Sequence, residues 1–329
     1  MLFYLECLWA DEKYMDGVTT SSLYEVRLGR EKFGKEVQAY SVAFSRDEID
    51  KVKRYADKII FNSISQLKMF SKNVSGLKIG LRINPGISFS NFDLADPVRK
   101  HSRLGVDDKA SLLKVAHLIS GVMFHFNCEN DDFKNFSRNL ETIGKKYGDF
   151  LKTLQWVSLG GGIYFTKKGY PIKKFSKLLK DFSRKFGVQI YLEPGEAAIT
   201  ESAELVTKVL DLVYNKIDIA VLDASLEAHM LDLLIYRQAA TIAGSGTGKF
   251  KYLIAGRSCL AGDSFGIHRF KSKLKVGRII RIQDAAGYTM VKTNWFNGLP
   301  MPAIVIKRLN GSLQLVRNFT YKDFLKSLS

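Results

Sequence analysis

The chain has 329 residues, 46% of them apolar and 25% charged, enough for a sizeable core, and a formal net charge of +17. No run of about 18 apolar residues occurs, which excludes a membrane-spanning helix, and Cys7, Cys128 and Cys259 are too few and too scattered for a disulfide framework or a CxxC metal site. The excess charge alone would suit a nucleic-acid partner, but the 34 lysines and 16 arginines are spread along the whole chain instead of forming one arm.

The opening "MLFYLECLW" is apolar only as far as Trp9, carries Glu6 within that run, and lacks the basic flank and cleavage site of a secretory signal. A reducing cytoplasm is the expected location. From residue 16 to 200 one pattern repeats: a short apolar run, a polar or glycine-rich end, then a helical stretch. The runs are "DGVTTSS", "EVQAYSVAF", "KIIFNSIS", "LKIGLRINPG", "ISGVMFHFN", "LQWVSLGGG" and "VQIYLEPGE". Buried strands alternating with helices specify a parallel sheet, and chemically rich strand ends are the layout of a (β/α)8 TIM-type barrel. A closed barrel needs eight strands. Seven are legible, so the missing first strand belongs before Tyr14.

In the densest basic stretch, "YPIKKFSKLLKDFSRKFG", Ile172, Phe175, Leu178, Leu179, Phe182 and Phe186 share one helical face with lysines opposite, which reads as a solvated outer helix. After Glu201 the texture becomes short β-type runs separated by turns: "ELVTKVLDLVY", "IDIAVLDAS", "KYLIAGRSC", "GRIIRIQDAAG" and "PAIVIKRLNGSLQLVRNF". Residues 1–200 are therefore expected to form the barrel, and residues 201–329 a mainly antiparallel β domain. "AGSGTGKF" is read as a flexible loop, because the first glycine of a phosphate-binding loop would fall on Ala243 and Phe250 stands where its Ser/Thr belongs.

The strand ends carry the chemistry. "SLGGGI" offers three consecutive glycines whose amides could cradle a phosphate, although such a run is also an ordinary tight turn. "EPGEAA" places Glu193 at the next strand end, where a buried carboxylate requires a cationic partner. "HFNCEN" places His125 at another, where a lone histidine is more often structural than catalytic. Together the three point to a phosphate-bearing cofactor with a basic ring nitrogen. Further on, Cys259 and Asp263 lie on the glycine-bounded "GRSCLAGDSFG", and Tyr288 follows a strand in "DAAGYTMVK". A thiol and carboxylate on such a loop could serve as proton donor and amine-binding group, or the thiol could be an inert buried one.

The motifs "YMDGVTTSSLYE", "FNSISQL", "SRLG", "MFHFNCEN", "WVSLGGGI", "YLEPGEAAIT", "EAHMLDLLIY", "SCLAGD", "AGYTMVK" and "NWFNG" are collectively specific. From Tyr14 to Ser329 the chain resembles the carboxynorspermidine/carboxyspermidine decarboxylases, which share the pyridoxal-phosphate-dependent fold of alanine racemase and ornithine decarboxylase. The resemblance implies a pyridoxal 5'-phosphate cofactor, a polyamine substrate, and a homodimer with shared active sites, with neither nucleic acid nor membrane as partner. It implies that His125 stacks on the pyridine ring and Glu193 pairs with its protonated nitrogen. Gly160, Gly161, Gly162 and Gly195 would hold the phosphate with Tyr288, and Arg103 would lie near the ring. Cys259 and Asp263, contributed across the dimer interface, would complete the partner's active site, with Cys259 protonating the carbon left by decarboxylation and Asp263 also contacting the substrate. Glu227, His229 and Asp232 are the candidates for the cationic tail. In the wider group an arginine follows "EPG"; here Glu196 stands in that place, as in the carboxynorspermidine branch.

The resemblance also exposes a gap. Enzymes of this fold attach the cofactor to a lysine ending the first barrel strand, and no lysine precedes Lys13. Laid ungapped against the family's "CF(S/A)TWSVF", Met1 falls on the cysteine and the lysine falls one position before the chain. The first nine or so residues read as that coding sequence translated out of frame, rejoining it between Leu8 and Tyr14. The expectation is an N-terminally incomplete barrel with impaired catalysis; the alternative is a non-catalytic paralogue that binds cofactor or a protein partner.

Overall fold

A computed structural model describes residues 13–328. The expectations for the opening residues and the first strand lie outside that range. The backbone clusters into two compact units that divide between Ala198 and Ile199.

In the first unit, seven strands pair in sequence order and always in parallel: β1 (Gly17–Thr20), β2 (Glu36–Tyr40), β3 (Lys58–Phe61), β4 (Lys78–Arg82), β5 (Gly121–Met123), β6 (Trp156–Ser158) and β7 (Gln189–Tyr191). Each lies in one of the seven predicted runs. Short polar side chains that follow the strands start the next helices: Ser22 accepts from the Glu25 amide, Ser63 from the Gln66 amide, and Asp132 from the Lys134 and Asn135 amides. These caps satisfy donors that a helix N-terminus leaves free.

The sheet curls. Five strand spacings at about 4.8 Å would part β2 from β7 by roughly 24 Å if the sheet were flat, yet Gln38 of β2 donates to Glu193, just past β7, at 2.8 Å. Strand alternation then sorts side chains into two sets. Outward residues such as Val37, Ile59, Phe61, Leu81, Val122 and Val157 join the main core with Val26, Ile49, Leu67 and Ile143 of the surrounding helices. Inward residues are different: Ile60, Met123 and Trp156 form a small cluster beside buried Gln38, Lys58, Arg82 and Ser158. Trp156 lies across the backbone of the neighbouring strands, since a Cβ on Gly121 would come 2.1 Å from its indole and one on Gly80 2.4 Å. Among the described residues, β1 and β7 each pair with one strand only.

The basic outer helix spans Ile172–Phe186 and buries Phe175, Phe182 and Phe186 as predicted, while Ile172 in its first turn stays exposed.

The second unit holds a five-stranded sheet in the order β11-β10-β9-β8-β12, from β8 (Glu204–Tyr214), β9 (Asp218–Leu222), β10 (Phe250–Ala255), β11 (Ser264–Phe270) and β12 (Ile279–Gln283). Its pairs are antiparallel except β9 with β10. A separate hairpin joins β13 (Ile304–Lys307) to β14 (Leu313–Arg317). β11 had no counterpart among the predicted runs, because Gly266, His268 and Arg269 interrupt its apolar residues. Alternation along β8 buries Leu205, Thr207 and Val209 and exposes Val206 and Lys208. "AGSGTGKF" forms turns leading into a strand, without the helix a phosphate loop requires. Among the described residues no helix is long and apolar enough to cross a membrane, and no cluster of metal-ligating side chains forms.

Candidate active site

The curl of the first unit brings the ends of β2, β5, β6 and β7 together. Glu193 Oε1 accepts from Gln38 Nε2 at 2.8 Å and from the Ser158 hydroxyl at 2.6 Å, while Oε2 accepts no hydrogen bond among the described residues. Burial pushes this carboxyl above its ordinary value, opposed by the Ser158 and Gln38 hydrogen bonds and by the Arg82 and Lys58 cations. The Ser158 hydroxyl also accepts from the Gly160 amide at 3.1 Å, which ties the glycine run to the carboxylate.

His125, two residues past β5, accepts at Nδ1 from the Gly161 amide at 3.4 Å. Desolvation, with the Arg82 charge second, depresses its imidazole from 6.5 to about 3. The ring is therefore neutral at physiological pH, and as pH falls the unfolded chain takes up this proton first. Stability is expected to drop between pH 6.5 and about 3, with the loss complete once the folded ring also protonates. His125→Asn should flatten that limb in thermal melts followed across the range; an unchanged acid profile would refute the assignment.

Each glycine of the run is required by a neighbour. At Gly160, with φ +70°, a Cβ would meet the His125 ring at 2.7 Å. At Gly161 it would meet the Glu193 carbonyl oxygen at 2.4 Å, and at Gly162, with φ +73°, the Asn127 carbonyl oxygen at 2.2 Å. The three predicted strand ends thus pack directly on one another. Gly195 differs, having nothing within 4 Å of its Cβ position.

Sequence reading missed the polar residues inside the barrel. Arg82 is buried, donates to the Tyr40 hydroxyl at 2.7 Å, and influences both His125 and Glu193. Asn62 accepts from the Tyr40 hydroxyl at 3.0 Å and from the Gly105 amide at 3.0 Å, and donates to the Arg103 carbonyl at 2.8 Å. It thereby holds the "SRLG" loop, while Arg103 itself is exposed. Gln38, Arg82 and Ser158 share the inward parity of their strands, which only the curl of the sheet makes plain.

In the second unit, Asp263 is buried and its carboxylate is fully engaged. Oδ1 accepts from the Leu226 amide at 2.6 Å, and Oδ2 from the Ser258 amide at 3.0 Å and hydroxyl at 2.5 Å. Gly256 leaves room for it, since a Cβ there would lie 2.2 Å from Oδ1. These bonds tie the loop that carries Cys259 to the start of the helix Leu226–His229. Cys259 is exposed with a free thiol, and its amide donates to Asn297 Oδ1 at 2.7 Å.

The tail-binding candidates separate. Glu227 has a buried Oε2 without a hydrogen-bond partner among the described residues, and desolvation raises its carboxyl, opposed by Asn294. His229 is buried, accepts from the Ser225 amide at 3.1 Å, and is depressed by burial. Asp232 is already paired with Lys292, whose ammonium lies 4.9 Å from the Tyr288 ring centroid. Tyr288 is exposed at the start of the short helix Tyr288–Val291.

No protein-family model matches the chain. It is 52% identical over 318 residues to the carboxynorspermidine/carboxyspermidine decarboxylase of Herminiimonas arsenicoxydans, covering 97% of this chain and 87% of the relative. It is 35% identical over 319 residues to the carboxyaminopropylagmatine decarboxylase of a Synechocystis strain, covering 95% and 82%. Among solved structures, the carboxynorspermidine decarboxylase of Campylobacter jejuni complexed with norspermidine matches with a TM-score of 0.90 at 34% identity, covering 98% of this chain and 89% of that one. A diaminopimelate decarboxylase from Helicobacter pylori complexed with L-lysine, 20% identical and with a TM-score of 0.84 over 98% of this chain and 87% of that one, shares the fold. With identity this high over nearly the full length of both chains, this chain belongs to the carboxynorspermidine/carboxyspermidine decarboxylase family.

Proposed function

We propose that this chain is built for the pyridoxal 5'-phosphate-dependent decarboxylation of carboxynorspermidine or carboxyspermidine to the corresponding triamine, in the cytoplasm and as a homodimer. The observation that carries the reading is the Glu193 carboxylate, with Oε1 held from below and Oε2 open, beside a neutral histidine and a close-packed glycine run.

These residues fit the cofactor. Glu193 Oε2 would accept from the protonated ring nitrogen, His125 would lie against the ring face, and the amides of Gly160 to Gly162 and Gly195 would take the phosphate. Arg82, together with Arg103, whose charge also acts on Tyr40, would supply positive charge near the ring. When bound, the cofactor supplies an electron sink for the pair left as the substrate carboxylate departs as carbon dioxide. Cys259 Sγ–H would hold the proton that replaces the carboxylate, and Asp263 keeps its loop in place. Glu227 is the strongest candidate to meet a cationic nitrogen, because a protonated amine would satisfy the oxygen that has no partner among the described residues. Asp232 would have to release Lys292 first.

The amine that attaches the cofactor is a separate matter. None of the seven described strands is followed by a lysine within its next two residues. The buried barrel lysine, Lys58, begins β3 and is paired with Glu36. The 329-residue polypeptide is therefore expected to bind pyridoxal 5'-phosphate, seen as a change in cofactor absorbance, yet borohydride treatment followed by peptide mass spectrometry should fix none of it to residues 13–328. Carbon dioxide release from either substrate should be correspondingly weak. A lysine peptide carrying the reduced cofactor, together with rapid turnover, would overturn the expectation. Cofactor binding without any turnover would favour the non-catalytic reading.

A further inference from the structure

Barrels of this architecture ordinarily fill their interior with branched aliphatic side chains. Here the inward positions below the mouth include Glu36, Gln38, Lys58, Arg82, Trp156 and Tyr191. Lys58 is fully buried. Its Nζ lies 2.9 Å from Glu36 Oε1, 3.4 Å from the Tyr191 ring centroid and 4.7 Å from the Trp156 ring centroid. We propose that Lys58 is a positioning residue whose buried ammonium, balanced against Glu36, fixes the charge that Glu193 presents at the barrel mouth.

The placement follows from strand geometry. Glu36 stands two residues before Gln38 on β2, and Tyr191 two residues before Glu193 at the end of β7, so each pair faces inward on its own strand. Lys58 contacts the lower member of both pairs. It therefore sits one inward layer, about 7 Å, below the hydrogen bond between Gln38 and Glu193. At that range in a poorly solvated interior a fixed charge acts strongly on a neighbouring carboxyl. Lys58 and Arg82 are the two cations that favour the ionised form of Glu193 against its desolvation.

Stability is a weak reason for the pair. A buried ion pair seldom outweighs its desolvation relative to apolar side chains of the same volume, and the two aromatic rings beside Lys58 would also pack on a methionine, losing only the cation–π contacts. What a methionine could not do is hold a positive charge under Glu193. The charged and titratable groups around that carboxylate are Tyr40 on β2, Lys58 on β3, Arg82 on β4 and His125 after β5, with Glu36 and Tyr191 behind Lys58.

The proposal rests on reading Glu193 as the partner of the cofactor ring, but its test does not require cofactor. The cofactor-free protein, labelled with 13C at the glutamate carboxyls, would be titrated by NMR, with the Glu193 signal assigned by its loss in Glu193→Gln. Lys58→Met should move the Glu193 midpoint upward. Glu36→Gln, which leaves the ammonium unbalanced, should move it downward, and Lys58→Arg should restore it toward the parent. Opposite signs are something a loosened fold cannot produce. A midpoint unmoved in both Lys58→Met and Glu36→Gln, or moved the same way in both, would overturn the proposal. Should Lys58→Met not fold, Glu36→Gln and Lys58→Arg carry the test, because the Glu36 side chain is 29% exposed and arginine keeps the charge. The underlying reading of Glu193 fails separately, if Glu193→Gln binds pyridoxal 5'-phosphate as tightly as the parent.

Discussion

Glu193→Gln is expected to make the cofactor-free protein more stable at neutral pH while weakening its hold on pyridoxal 5'-phosphate. The folded protein holds the Glu193 proton more tightly than the unfolded chain, whose carboxyl stays near 4.5. As pH rises past that value the unfolded state releases the proton first, so folding stability falls until the folded carboxyl has ionised too. Every pH unit by which burial lifts the group corresponds to about 1.4 kcal/mol. Glutamine keeps the shape and still accepts from Gln38 and Ser158, but it has no charge to desolvate. Melting curves of the two proteins should therefore converge below pH 4 and separate above it, with the variant the more stable. Cofactor binding should move the other way, since a charge-assisted hydrogen bond contributes about 1.5–3 kcal/mol, a loss of roughly ten- to a hundredfold in affinity. A variant that is less stable than the parent at pH 7, or that binds equally well, would remove Glu193 from the centre of the site.

Gly162→Ala should be the most damaging single methyl in the barrel mouth, and Gly195→Ala one of the mildest. At Gly162 the backbone is left-handed and the new Cβ would fall 2.2 Å from the Asn127 carbonyl oxygen, 2.7 Å from its carbon and 3.0 Å from Cys128 Cα. All three are main-chain atoms, so no side chain can swing aside. Left-handed strain adds about 1–3 kcal/mol and overpacking a comparable amount. The Asn130 amide, which donates to the Gly162 carbonyl at 2.8 Å, must shift as well. The melting midpoint should fall by several degrees, and cofactor binding should weaken as the amides are displaced. Gly195→Ala meets open space, so its melting midpoint should stay near the parent's. A selective loss of phosphate-bearing cofactor there, with pyridoxal itself unaffected, would place Gly195 against the phosphate; unchanged affinity for both would remove it from the cradle.

The seven strands were legible because apolar runs ending in polar or glycine residues repeat with helical spacers between them. His125, Glu193 and the glycines were legible because each stands at such an end. Gln38, Arg82, Ser158 and Lys58 were not, since one or two polar residues within a strand of three to five residues read as noise until the curl of the sheet shows that all four point inward. Asp263 and Asp232 show the converse. Carboxylates in a suggestive motif look available for a ligand, but sequence does not reveal that backbone amides at residues 226 and 258 occupy the first and Lys292 the second. β11 escaped because its glycine, histidine and arginine dilute an alternation that only its antiparallel partner β10 makes plain.

The indole of Trp156 rests where two neighbouring strands have no side chains at all, at Gly80 and Gly121. These three positions share one volume. A methyl on either glycine evicts the ring, and a smaller residue at 156 leaves a void that the glycines cannot fill. They are therefore free to change only together, and across relatives they should covary as a set, tryptophan with two glycines or a smaller residue with larger neighbours. Engineering that treats Trp156 as one independently adjustable site will meet a barrier that a simultaneous change at 80 and 121 removes.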